Sequence, residues 1–158
     1  MQIFRISPEK FAFDLTGEGA RLLGGRWNTV GRPALYTAES PSLAMLEIIA
    51  YFEVTSEPPD LVLVTLEVPD DISTEKPSIG DLPLNWNIHP KTTFSQNFGS
   101  RWLEEAKSAC LVVPSVIVPV GYGWNYVLNP LHPELMGKIV ITDSVKWEID
   151  KRISRKSL

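Results

Sequence analysis

Three side chains that could bind or cleave a polar ligand lie close together in the sequence. Arg26 follows a pair of glycines, Tyr36 ends a short extended run, and Glu47 is the only charged residue between positions 41 and 52. A guanidinium group binds phosphate or carboxylate, an aromatic ring can stack on a flat ligand, and a carboxylate can stabilise developing positive charge. Together they indicate a site for a polar ligand that contains a ring.

Glu47 is the strongest of these candidates because its neighbours in the sequence are apolar. Residues 41–52 have the pattern of a helix that is apolar nearly all round, and such a helix is expected to be buried. A buried carboxylate needs a partner or a task, since burying an unpaired charge is costly. A Glu–Arg pair that only orders the core is the alternative, but such pairs add little net stability. We therefore predict a functional role for Glu47.

Arg26 and Tyr36 carry weaker signals when each is taken alone. The glycines before Arg26 let the backbone turn sharply and approach a ligand, and its guanidinium can clamp an anion through two hydrogen bonds. A surface arginine beside a turn is the alternative. Tyr36 offers a ring for stacking, although an inward-facing tyrosine of a strand is also common in protein cores.

Further polar and aromatic candidates lie beside Arg26 and in the second half of the chain. Ser115 stands in Val-Pro-Ser without a Gly-x-Ser-x-Gly motif or an evident base, so we expect it to hydrogen-bond a ligand rather than attack one. A turn serine is the alternative. Asn125 and Asn129 suit either ligand binding or loop capping, and the proline after Asn129 favours a turn. Trp27 suits the core better than a stacked ligand.

The elements that must position these residues are predicted from periodicity and from proline. Two helices are expected, over residues 41–52 and 95–109, the first capped by Ser40. Residues 69–90 form a long irregular excursion that could cover a site. Strands outnumber helices without regular alternation, which predicts an α+β fold. The strands are expected at residues 2–6, 33–37, 61–68, 111–113, 116–120 and 138–147.

Composition and charge exclude several classes of function. The 158 residues predict one domain, and no apolar run approaches the length of a membrane span. A single cysteine, Cys110, and no evident signal peptide favour the cytoplasm. With only two histidines beside it, a metal site is not expected. The net charge of −4 argues against direct nucleic-acid binding. The basic tail KRISRKSL, residues 151–158, is interpreted as a solvated terminus. Neither a P-loop motif nor a Gly-x-Gly-x-x-Gly fingerprint occurs.

The combination of motifs resembles the RES domain, a family named for its arginine, glutamate and serine. The resemblance extends over nearly the whole chain, from about Phe4 to Arg152, and leaves residues 153–158 as a basic tail. The matching motifs, in chain order, are Phe4-Arg5-Ile6, Leu15-Thr16-Gly17-Glu18-Gly19-Ala20, Gly24-Gly25-Arg26-Trp27-Asn28, Ala34-Leu35-Tyr36-Thr37-Ala38-Glu39-Ser40, Leu43-Ala44-Met45-Leu46-Glu47, Val113-Pro114-Ser115, Asn125-Tyr126-Val127-Leu128-Asn129-Pro130 and His132-Pro133.

This resemblance implies a toxin of a bacterial type II toxin–antitoxin system. The implied fold is similar to that of ADP-ribosyltransferase toxins of the diphtheria type, with mostly antiparallel sheets and flanking helices. Members consume NAD by hydrolysis or phosphorolysis, and some ADP-ribosylate a protein. NAD is then a substrate rather than a cofactor, and the implied partner is an antitoxin with an Xre-like domain that covers the active site.

The resemblance also suggests roles for individual residues. Glu47 would stabilise the oxocarbenium-like ribose, Arg26 would hold the diphosphate or ribose, and Tyr36 would stack on nicotinamide or flank its ribose. Substrate contacts are implied for four more residues: Ser115, Asn28, Asn129 and Trp27.

Three questions stay open at the level of sequence. A non-catalytic module that binds a nucleotide or a partner is the competing hypothesis, although a binder of an anionic dinucleotide gains nothing from a desolvated carboxylate. Water, phosphate and a protein side chain are all possible acceptors of ADP-ribose. The sequence also leaves assembly into a homo-oligomer open.

Overall fold

The computed structural model describes residues 1–51 and 59–150, and these form one sheet of seven strands with flanking helices. The predicted α+β class is therefore confirmed. The α-helices of the described part are α1 (Glu18–Leu23), α2 (Pro41–Tyr51) and α3 (Thr93–Glu105). The strands are β1 (Gln2–Pro8), β2 (Leu35–Ala38), β3 (Leu61–Glu67), β4 (Thr74–Glu75), β5 (Cys110–Pro114), β6 (Trp124–Leu128) and β7 (Val140–Trp147).

The sheet has the order β4-β5-β6-β2-β1-β3-β7. All neighbouring strands are antiparallel except β4 and β5, which are parallel. The expectation of mostly antiparallel pairing is confirmed, with one sheet instead of several. Because β6 lies between β5 and β2, the end of β5 and the start of β6 come close to the end of β2.

Alternate side chains of the strands point to opposite faces of the sheet and separate the core into layers. One face carries a cluster that includes Ile3, Leu35, Val64 and Val112. The other face carries two clusters: one lies under α2, and the other is built from β2, β5 and β6 together with α3 and its neighbouring loops. Tyr36 packs on this second face, against the cluster built from β2, β5, β6 and α3.

The helix α2 begins where the proline and the serine cap predict. Ser40 Oγ accepts a hydrogen bond from the backbone N–H of Leu43 at 3.2 Å. The expectation that this helix is buried nearly all round is wrong, because Leu43 and Ala44 are its buried residues while Tyr51 is 67% exposed. A helix packed on the sheet through one side leaves its other side to solvent. The predicted last residue, Phe52, lies outside the described residues.

The helix α3 starts two residues earlier and ends four residues earlier than the predicted span of 95–109. Thr92 caps its start by accepting a hydrogen bond from the N–H of Ser95, and Ala106 ends it in a left-handed conformation with φ of 45°. The short helix α1 lies in a glycine-rich stretch where no helix was predicted. Gly17 and Gly24 cap its two ends. Its six residues are too few to show a helical periodicity in the sequence.

One predicted strand is wrong, and strand β6 forms where no strand was predicted. Residues 116–120 form bends and a turn, although their composition is typical of a strand. The strand instead forms at Trp124–Leu128. The N–H of Ser115 bonds the carbonyl of Gly123 at 2.9 Å, which closes residues 116–122 into the loop of a β5–β6 hairpin. Pairing partners on both sides of β6 override the local preference of the apolar run.

The 69–90 excursion contains little regular structure, and its second half packs onto the sheet's second face. Strand β4 and a 3-10 turn at Ile79–Asp81 lie within it, and Leu82 and Trp86 are buried. Among the residues described, no helix is long and apolar enough to cross a membrane.

Candidate functional site

Glu47 lies where three elements of the fold meet. Its Oε1 accepts hydrogen bonds from Ser115 Oγ at 2.7 Å and from Asn125 Nδ2 at 2.6 Å. Glu47 projects from α2, Ser115 follows β5 and Asn125 belongs to β6. The glutamate is half-buried instead of fully buried as expected. Within the described ranges no hydrogen bond engages its second oxygen, Oε2, so that oxygen is available to a ligand.

Ser115 supports Glu47 and leaves little of itself for a ligand. The serine is only 1% exposed, and its hydroxyl donates to Glu47 while accepting the N–H of Ile117 at 3.1 Å. Its hydroxyl proton is therefore directed at the carboxylate. The structure places Ser115 at the predicted site, but its contact is with Glu47.

Arg26 reaches the same region from the loop after α1. Its Nη1 donates to the carbonyl oxygens of Trp86 at 2.7 Å and Ile88 at 2.9 Å. These bonds attach the excursion to the site and leave the Nε–Nη2 edge of the guanidinium without a bond in the described part of the chain. Burial lowers the pKa of Arg26, and the charge of Glu47 acts in the opposite direction, so the two groups are near enough to interact.

Tyr36 uses its hydroxyl to hold the loop that carries Arg26. The phenol donates to Asn28 Oδ1 at 2.8 Å and accepts the backbone N–H of Trp27 at 2.9 Å. Burial raises the pKa of Tyr36 well above its usual value, so the group stays protonated and can donate. Only its ring is left to contact a ligand.

Asn28 has no polar atom left for the predicted contact with substrate. The residue is 0% exposed, and its Nδ2 donates to three backbone carbonyls of the same region, those of Ala20, Thr29 and Arg32. Its Oδ1 accepts the Tyr36 hydroxyl. The structure therefore corrects the prediction: Asn28 shapes the loop from inside and orients Tyr36.

Trp27 also belongs to the core instead of a ligand surface. It is 2% exposed, stacks on Trp86 with ring centroids 6.2 Å apart, and meets the edge of Phe98 at 6.0 Å. The predicted contact between Trp27 and substrate is therefore replaced by contacts within the protein. Its packing fixes the backbone next to Arg26.

Asn129 is not brought together with the other candidates. It follows the far end of β6, is 3% exposed, and bonds the carbonyl of Leu103 and the N–H of Leu131. Those bonds complete a turn, as the following proline indicates. The asparagine that touches Glu47 is Asn125, at the opposite end of the strand, so the predicted substrate contact of Asn129 is corrected.

Two residues of the site were not selected from the sequence. Asn125 was considered for ligand binding or loop capping but was not among the predicted site residues. Alternation along β6 places it on the same face as Tyr36, opposite Ala38. Lys91 donates to the carbonyl of Gly24 at 2.8 Å, and burial together with the charge of Arg26 lowers its pKa. No sequence signal marks Lys91, because it directly follows the irregular excursion and belongs to no periodic segment.

Gly25 is predicted to be irreplaceable in this loop. A Cβ atom there would lie 2.3 Å from Tyr36 Oη and 2.6 Å from Asn28 Oδ1. Gly25→Ala should therefore break the Tyr36–Asn28 contact and lower the free energy of unfolding by about 1–3 kcal/mol. Urea denaturation measures this. Gly19→Ala is the control, since nothing lies within 4 Å of its Cβ position. Equal stability of the two variants would contradict the predicted role of Gly25.

Comparison with known proteins identifies the family of this chain. The family model of the RES domain matches residues 2–150. The chain is 41% identical over 148 residues to the Prs ADP-ribosylating toxin of Sphingobium sp.. The aligned region covers 92% of this chain and 90% of the relative. It is 35% identical over 154 residues to a Toxin Res of Photorhabdus laumondii, covering 97% of each chain.

A solved structure shows the same fold. The crystal structure of the M. tuberculosis MbcT–MbcA toxin–antitoxin complex contains a chain that superposes with a TM-score of 0.75 at 21% identity. The match covers 92% of this chain and 83% of the other. From the family match and from these relatives, the chain belongs to the RES domain family.

Proposed function

We propose that this RES domain protein is a toxin that cleaves NAD between nicotinamide and ribose. The observation that carries the proposal is the arrangement of Glu47. Two donors hold one carboxylate oxygen, and no described residue hydrogen-bonds the other oxygen or the Nε–Nη2 edge of nearby Arg26. The relatives named as toxins support the biological role.

The chemistry requires stabilisation of a short-lived cation. As the bond from C1′ of the ribose to the nicotinamide nitrogen breaks, the electron pair goes to nicotinamide and neutralises its pyridinium ring. Positive charge remains on the ribose. The free Oε2 of Glu47 can stabilise that charge directly or bind a ribose hydroxyl and orient the sugar. The acceptor then bonds to C1′ and loses its proton.

Arg26 would hold the other half of the substrate. A guanidinium edge presents two parallel N–H donors, which match two oxygens of a phosphate. Lys91 adds a second positive charge beside it. Holding the diphosphate fixes the ribose in front of Glu47 and reduces the entropy cost of reaction. Tyr36 would contribute the surface of its ring, since its hydroxyl is used within the loop.

We further propose an antitoxin partner that covers this site. An exposed apolar side chain adjoins each functional element: Leu46 is 42% exposed beside Glu47, Ile117 40% beside Ser115, and Ile88 45% where Arg26 attaches the excursion. Apolar residues around a polar site are suited to a protein interface. The solved neighbour is itself a toxin–antitoxin complex. An Xre-like domain in the partner and action in the cytoplasm are parts of this proposal.

Nicotinamide release from NAD by the purified chain is the experiment that tests the activity. We expect release by the wild-type protein, measured by chromatography with and without added phosphate. Faster release in phosphate would identify phosphorolysis, and equal rates would indicate water or a protein as acceptor. Expression of the chain alone should also lower cellular NAD and stop bacterial growth. No release and normal growth would contradict the proposal.

Transfer of ADP-ribose to a protein is the second candidate function. The relative at 41% identity is named an ADP-ribosylating toxin, and the same Glu47 and Arg26 would serve that reaction. Incubation with a bacterial lysate and NAD labelled in its adenylate part distinguishes the two. A labelled protein band that the Glu47→Gln variant does not produce would favour transfer, whereas labelled small molecules alone would favour cleavage.

A further inference from the structure

The side-chain amide of Asn125 is only half satisfied. Its Nδ2 donates to Glu47 Oε1 at 2.6 Å, while its Oδ1 is buried without a hydrogen-bond partner in the described part of the protein. Buried amide oxygens are nearly always paired, and an unpaired one lowers stability. An asparagine kept in this state needs an explanation other than stability.

The carboxylate of Glu47 supplies that explanation. An ionised carboxylate accepts hydrogen bonds and cannot donate them, so a rotated amide would set Oδ1 against Glu47 with no proton between the oxygens. Asn125 therefore offers its donor to Glu47 and leaves its own acceptor unpaired. Ser115 donates to the same oxygen at 2.7 Å. Two donors from two elements thus hold Oε1, and no described residue hydrogen-bonds Oε2.

We propose that Asn125 is a positioning residue for the reaction, a role that rests on the proposed NAD cleavage. It holds the Glu47 carboxylate in the rotation that leaves Oε2 facing the substrate ribose. Its action is on Glu47, and it makes no contact with NAD. Glu47 has few other charged neighbours: α2 has no second charge among its described residues, and Arg26 faces it from the loop after α1. Ser115 and Asn125 are neutral.

Asn125→Asp tests this role by preserving shape while replacing the donor with a carboxylate. Two carboxyl groups this close repel each other when both are ionised, so they tend to share one proton. We expect kcat to fall at least about a hundredfold near neutral pH, and the acidic limb of the pH–rate profile to move to higher pH by about one unit. The KM for NAD should stay within about threefold of the wild-type value, because Arg26 is untouched.

Two companion variants make the result specific. Asn125→Ala removes the donor without adding charge, so kcat should fall roughly tenfold to a hundredfold, as for loss of a hydrogen bond to a charged group. Asn97→Asp introduces the same charge on the exposed side of α3 and should keep the wild-type rate and profile. An Asn125→Asp variant with wild-type kcat and profile would overturn the proposal, whereas the shifted limb would support it.

A readout that is independent of turnover separates this proposal from the proposed function. The side-chain amide signal of Asn125 can be assigned in an NMR spectrum by its loss in Asn125→Asp. It should shift when Glu47→Gln removes the charge that it faces. If the wild-type protein released no nicotinamide, NAD cleavage would be contradicted. If the Asn125 signal kept its chemical shift in Glu47→Gln, the positioning contact would be contradicted.

Discussion

The Glu47→Gln variant is expected to release nicotinamide from NAD about a thousandfold more slowly than the wild type, or not at all. Glutamine has nearly the same shape and can still accept a hydrogen bond from Ser115, but it carries no negative charge to stabilise the ribose cation. Because the lost interaction is made mainly in the transition state, kcat should fall while the KM for NAD changes little.

The control for this variant is a second glutamate close to the same strands. Glu39 follows β2, is exposed, and accepts the N–H of Trp124 at 3.1 Å. Glu39→Gln removes the same charge and should keep wild-type turnover. Both variants should melt within about 4 °C of the wild type, since neither creates a cavity. If Glu47→Gln turned over NAD at the wild-type rate, the proposed role of this carboxylate would be wrong.

Arg26→Ala is expected to raise the KM for NAD about a hundredfold. Its free guanidinium edge can make two charge-assisted hydrogen bonds to phosphate, each worth about 1.5–3 kcal/mol, and part of that is offset by solvation of the free phosphate. Arg26→Lys should recover only part of the loss, because an ammonium group keeps the charge without the paired donors. Steady-state kinetics over a range of NAD concentrations measures both effects.

Two measurements separate phosphate binding from the attachment of the excursion by Arg26. Arg32→Ala removes an exposed arginine that pairs with Glu104, and it should leave the KM unchanged. ADP-ribose contains the diphosphate and nicotinamide does not, so Arg26→Ala should weaken inhibition by ADP-ribose and leave inhibition by nicotinamide as it was. Equal weakening of both inhibitors would show that the loss comes from a displaced excursion instead of a missing phosphate contact.

Local patterns were enough for most of the fold. Strands β1, β3 and β7 and the start of α2 follow from β-branched runs, prolines and the Ser40 cap, because these signals act within a few residues. The error at 116–120 has the opposite origin. That run and the segment 124–128 are both plausible strands, and only pairing with β5 and β2 selects the second one.

The candidate site was predicted only in part, because local signals mark some of its residues and long-range contacts decide the others. Glycines before an arginine and one charge in an apolar helix are visible locally, so Arg26 and Glu47 were predicted from the chain. Whether Asn28 and Asn129 face a ligand or the interior depends on atoms many residues away. Asn28 donates to carbonyls of α1 and of its own loop, and Asn129 donates to the carbonyl of Leu103 in α3.

The sequence by itself determined the α+β class, the family and the chemical types at the site, since each is written in residues close together along the chain. Only the tertiary structure decided which of them touch. Ser115 and Asn125 are 68 and 78 positions from Glu47, yet both donate to the same oxygen. The order of β5, β6 and β2 in the sheet, and the packing of α2 across it, bring them together. Such contacts depend on strand pairing over long sequence separations, which a local pattern does not encode.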